Sequence, residues 1–113
     1  MGSIGKSTNS STSLTVEQAM RNYVTYQEEG GQEPRDSIAV IDKAVNDAQW
    51  VGTRTQSDLI VPGVGRAAVD YDKEYKSYTV RVYNHSGYLM DEIEFKKLSD
   101  AKQYAKSSLK DGR

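Results

Sequence analysis

The stretch RAAVDYDKEYKSYTVRVYNHSGYLMDEIEF, residues 66–95, decides the fold. It holds three runs rich in β-branched and aromatic residues, at 66–72, 78–83 and 88–95, separated by Lys- and Asn/Gly-containing breaks. A period of two places alternate side chains on opposite faces of a strand. The breaks at 73–77 and 84–87 are short. Connections of that length join antiparallel neighbours, because a parallel crossover needs a dozen residues or more. The stretch therefore predicts an antiparallel β-meander.

Alternation assigns the faces. Ala67, Val69 and Tyr71, then Tyr78, Val80 and Val82, then Leu89, Ile93 and Phe95 point inward on this reading. Ala68, Asp70 and Asp72, Thr79, Arg81 and Tyr83, and Tyr88, Met90, Glu92 and Glu94 point outward. Asp91 falls on the inward phase, which requires an edge position or a bulge that shifts the register.

Working outward, Thr15 and Gln18 form a capping-box pair ahead of Val16, Met20, Tyr23, Val24 and Gln27 at helical spacing, and Gly30 can end that segment. A helix over 14–29 follows, and residues 28–35, with Pro34, read as a linker. Asp36 or Ser37 would cap a second helix over 36–51, whose stripe is Ile38, Ile41, Ala44, Val45 and Ala48. Residues 58–61 read as a short edge strand that would be the fourth. Ser99 or Asp100 would start a last helix over 99–110, with Leu98, Ala101, Ala105, Ser108 and Leu109 on one face. The expected class is α+β, a three- to four-stranded antiparallel sheet within 58–95 with helices packed on one face, in the order α-α-(β)-β-β-β-α. Residues 14–113 suffice for one domain, and the Ser/Thr/Asn/Gly-rich segment 1–13 is expected to be a disordered tail.

Composition narrows the chemistry. The 113 residues contain no Cys, so thiolate catalysis, disulfides and Cys-based zinc sites are excluded. A cytoplasmic, reducing compartment is the default expectation. Neither a membrane span nor a secretory signal is expected, because no apolar run is long enough. A formal net charge of −1 gives no global pull toward nucleic acid or an anionic membrane.

Local motifs read as structure. Gly5-Lys6-Ser7 lacks the upstream glycine, strand and helix of a phosphate loop. Gly63-Val64-Gly65 with Ala68 matches a dinucleotide-binding spacing, yet β-type sequence follows it where a helix N-terminus is required. His85 is the only histidine and sits among turn formers, so no metal site is expected. Carboxylates on adjacent strands, such as Asp70 and Glu92, read as solvated sheet-face acids rather than an acid–base pair. No cofactor and no catalytic residue are expected.

Two surfaces could bind. The outward sheet face collects Asp70, Asp72, Glu92 and Glu94 around Arg81, with Tyr83, Tyr88 and Met90 among them. Eight Tyr against one Phe is unusual, and Tyr suits interfaces because it joins a large apolar ring to a polar tip. The expected function is a small non-catalytic protein-binding module, an inhibitor or adaptor, contacting a basic partner through Asp70, Arg81, Tyr83, Tyr88, Glu92 and Glu94. The alternative is a nucleic-acid-binding domain using Lys96, Lys97, Lys102, Lys106 and Lys110, the last three spaced by four on the final helix.

Three antiparallel strands and a helix, residues 66–109, resemble the plan of the AP2-type and integrase N-terminal DNA-binding domains. The resemblance implies DNA contact through basic side chains on the open sheet face, where this chain has Arg81 among four acids. With the second helix added, the order α-β-β-β-α is similar to a double-stranded RNA-binding domain. Tyr78-Thr79-Val80-Arg81-Val82 and Ala101-Lys102-Gln103-Tyr104-Ala105 are similar to that family's second strand and last helix. Its phosphate-gripping K-K-x-A-K would begin at Leu98-Ser99, so Lys102 alone of its three lysines is present, and its glycine-rich third strand is absent. The chain is assigned to neither family.

Overall fold

The computed structural model describes residues 14–111. The tail expected over 1–13, with Gly5-Lys6-Ser7, lies outside them, as does Gly112. The element order is α1 (Val16–Glu29), α2 (Arg35–Asp47), β1 (Trp50–Gly52), β2 (Gln56–Val61), β3 (Gly65–Asp72), β4 (Ser77–Asn84), β5 (Leu89–Phe95) and α3 (Leu98–Lys110). The class is α+β. The five strands form one antiparallel meander in the order β1-β2-β3-β4-β5.

The sheet is one strand larger than the expected three to four, and the extra strand comes from what read as the end of a helix. The second helix stops at Asp47 instead of running to 51. Ala48 is already extended, with φ −69° and ψ 146°. Trp50 pairs with Leu59 and Val51 with Asp58. Trp50 and Val51 are β-prone, and the ladder that they make with β2 outweighs the continuation of the stripe. β2 itself begins at Gln56, earlier than the expected 58, and Gln56 pairs with Asp70 of β3.

Helix starts differ in their chemistry. Thr15 Oγ1 accepts from the Gln18 N–H at 3.1 Å, and Gln18 Oε1 accepts from the Thr15 N–H at 3.1 Å, which is the expected box. Gly30 caps α1 with φ 80°, donating its N–H to the Tyr26 carbonyl. Neither Asp36 nor Ser37 caps α2. Pro34 holds the cap position, and Ser37 is buried, its Oγ accepting from Asn22 Nδ2 at 3.1 Å. Likewise α3 starts behind Lys97 rather than at Ser99 or Asp100, with no side-chain cap.

The inner sheet face meets the helices in one core. Leu59, Val61, Val64, Ala67, Val69, Val80 and Val82 are buried against Ala19 and Met20 of α1, Ile41 and Val45 of α2, and Ala101, Ala105 and Leu109 of α3. Ala101 and Ala105 let α3 lie close on β3 and β4. Tyr71 and Tyr78 are half-buried, their rings 4.9 Å apart.

The expected core fails along β5. Ile93 keeps 39% of its surface and Leu89 50%, and Phe95 is half-buried against Tyr104. Two causes act. β5 is an edge strand, and α3 packs over β3 and β4. In addition, the register shifts at Val82/Tyr83: Val82 faces Asp91 while Tyr83 faces Leu89, leaving Met90 as an extra residue. The bulge turns Leu89 to the face of Tyr83 and leaves Asp91 on the inner side, where its carboxylate accepts from the Tyr104 hydroxyl. Asp91 is thereby a paired inner acid.

Candidate functional site

The open sheet face is organised in rows by the ladder, since directly paired residues share a face. The row nearest the β4–β5 hairpin is Ile60, Arg66, Tyr83 and Leu89. The middle row is Val51, Asp58, Ala68, Arg81 and Glu92. The third is Gln56, Asp70, Thr79 and Glu94. One end of the face is thus apolar and aromatic and the rest is acidic.

In the first row the Arg66 guanidinium lies over the Tyr83 ring, 4.1 Å from its centroid. Ile60 is 61% exposed at one end of the row, and Leu89 flanks Tyr83 at the other. A shallow depression of ≈ 220 Å³ adjoins the row, between Ile60, Pro62, Arg66, Tyr83 and His85. In the middle row Arg81 Nε donates to Glu92 Oε2 at 2.7 Å, and Arg81 Nη1 reaches Asp70 Oδ2 at 3.3 Å. One guanidinium therefore serves two carboxylates and leaves the trio net negative. Asp58 has Arg66 at 3.9 Å. Glu94 has no ion-pair partner among the described residues.

The structure thus brings Asp70, Arg81 and Glu92 into contact, sets Tyr83 one row away and Glu94 in the next row over. Tyr88 is not a strand residue. It precedes β5 in the hairpin connection, exposed, with its N–H bonded to Asn84 Oδ1 at 3.0 Å. Asp72 serves the β3–β4 turn, its Oδ1 accepting from the Glu74 and Tyr75 N–H groups. Sequence reasoning missed Arg66, so Arg81 is not the only cation on the face. It also missed Asp58, Ile60 and Val51. Extending the alternation of β3 back by one residue marks Arg66; the others needed the ladder from β1 to β3.

The lysines are less prominent than their spacing suggests. Lys102, Lys106 and Lys110 are half-buried along the flank of α3, and Lys102 Nζ lies 5.1 Å from the Trp50 ring centroid. Lys96 and Lys97 sit between β5 and α3 and are exposed, with Lys96 Nζ 3.4 Å from the Tyr75 carbonyl. A cavity of ≈ 640 Å³ lies elsewhere, beside Val16, Val40 and Ala44 of α1 and α2. Its Lys43 and Asp47 are ion-paired at 2.8 Å. Among the described residues no group of three or more His, Asp or Glu could hold a metal ion, and no helix is long and apolar enough to cross a membrane.

Fold and surface together define a five-stranded α+β meander with one face covered by helices and the other open. No family model, no curated protein and no solved structure matches the chain.

Proposed function

We propose that this chain is a non-catalytic protein-binding module, an inhibitor or adaptor, that engages a basic protein surface through the open face of its sheet. The observation that carries this reading is the layout of that face. An apolar–aromatic row, Ile60, Arg66, Tyr83 and Leu89, borders two rows in which Asp70, Glu92 and Glu94 outweigh Arg81. An aromatic anchor beside uncompensated charge suits protein partners: the anchor supplies most of the affinity and the charge steers approach. A phosphate backbone would meet like charge on the same face. The nucleic-acid alternative rests on the α3 lysines and has no such support.

The test is affinity capture from host lysate, with and without nuclease, by the wild-type chain and two variants. Tyr83→Ala is expected to lose the captured protein, and Lys102→Ala combined with Lys106→Ala to retain it. Circular dichroism checks that both remain folded. Loss confined to the lysine variant, with nuclease-sensitive capture, would replace the protein-binding reading with the nucleic-acid one.

A further inference from the structure

We propose that β5 is a docking edge for an extended peptide segment of the partner in which basic and apolar residues alternate. The inference rests on the protein-binding reading above and names the partner's chemistry and its mode of engagement.

β5 is seven residues long and, among the described residues, pairs on one side only, with β4. Its other side is a row of backbone donors and acceptors that an added strand can use. The opposite edge, β1, has three residues and offers much less. The side chains of β5 differ by face. On the open face stand Glu92 and Glu94, one shared with Arg81 and the other without an ion-pair partner among the described residues. On the helix-covered side stand Ile93, still 39% exposed, and Phe95 against Tyr104. Because α3 sits over β3 and β4, that side of β5 leaves a partly covered apolar ledge. A strand laid beside β5 would place alternate residues opposite the glutamates and on the ledge. Cross-strand opposite charges stabilise such pairing and like charges oppose it. Lys or Arg therefore suits one phase and Val, Ile or Leu the other.

The same pattern disfavours a second copy of this chain. An antiparallel pair of β5 strands related by a two-fold axis normal to the sheet is centred on one residue. Centring on Asp91, Glu92 or Glu94 sets that carboxylate against itself, and centring on Ile93 sets Glu92 against Glu94. Each of these four registers opposes like charges, which disfavours self-pairing through the centre of β5 and leaves it open to a basic strand.

The experiment uses the full chain and a synthetic heptapeptide of alternating Lys and Val, with a composition-matched peptide in which Lys and Val are in separate blocks. Amide exchange and chemical shifts are read by NMR. The alternating peptide is expected to shift and protect amides of β5, and the blocked peptide to bind more weakly without that protection. Glu92→Lys with Glu94→Lys should weaken the alternating peptide about tenfold or more, because two attractive cross-strand pairs become repulsive. Equal binding of both peptides, or binding with no protection along β5, overturns the proposal without relying on any variant. Lysate capture by Ile93→Lys, which places a charge on the ledge, separates the two readings. Loss with Ile93→Lys but not Tyr83→Ala supports the edge and defeats the face. The reverse pattern defeats the edge and leaves the face standing.

Discussion

Leu59 and Ile93 are similar side chains on the same inner side of the sheet, and their surroundings differ. Leu59 lies in β2 with β1 and β3 on its two sides, and is fully buried. Ile93 is on the edge strand and keeps 39% of its surface, because α3 covers β5 only in part. Leu59→Ala is expected to cost about 2–5 kcal/mol in urea titration and Ile93→Ala under about 1 kcal/mol, because the cost follows the apolar surface returned to water and the cavity left behind. Two glycines give a second contrast. Gly87 has φ 88° in the β4–β5 hairpin, and a Cβ there would meet open space. Gly65 has φ 154°, and a Cβ there would overlap the Tyr83 carbonyl oxygen across the ladder. Gly87→Ala should cost about 1–2 kcal/mol, the backbone penalty alone. Gly65→Ala should cost clearly more, since β3 and β4 must part, and equal losses in thermal melts would contradict the close approach described. The dinucleotide-like spacing at Gly63–Gly65 is thus explained by strand proximity and a turn.

At the scale of elements, periodicity was enough to place α1, β3, β4 and α3, because each carries a face that only one period satisfies. Val80 and Val82 are inside and Arg81 is outside, as alternation requires. Two boundaries were not legible, for different reasons. Ala48, Trp50 and Val51 extend the stripe of α2 and also suit a strand. The choice is made by β2, a partner that local sequence does not contain. The inward assignment of Leu89 assumed an unbroken ladder, and the extra residue at Met90 reverses the phase before Asp91. Asp91 itself was the readable sign of that shift. Caps divide the same way. Thr15→Ala removes a bond to the Gln18 N–H and should cost about 0.5–2 kcal/mol. Ser99→Ala should be close to neutral, since Lys97 precedes the first turn of α3 and Ser99 is exposed and caps nothing. A thermal shift for Ser99→Ala as large as that for Thr15→Ala would restore the cap assignment made from sequence.

At the scale of the whole molecule, stability is graded across the meander. β3 and β4 have partners on both sides and α3 above them; β1 is three residues long, and β5 is an edge strand that α3 covers only in part. The layer arrangement was legible because helices bracket a run of strands in the sequence. The binding surface was legible only in part, since Asp70, Arg81 and Glu92 lie in strands of clear period while Ile60 and Arg66 join Tyr83 through two ladders. The grading leads to a measurable order. Amides open with free energies set by the burial and hydrogen bonding of their segment, so the centre of a covered sheet exchanges last. Native-state hydrogen exchange should find the slowest amides at Val69, Val80 and Val82, faster ones in α1, and the fastest strand amides in β1 and β5. α1 ranks below the central strands because it packs mainly on α2, burying Ala19 and Met20, with Val16 close to the β2–β3 turn at Gly63. If β5 amides are instead as protected as those of β4 in the free protein, then its outer edge is already covered, and a strand-accepting edge is ruled out at that position.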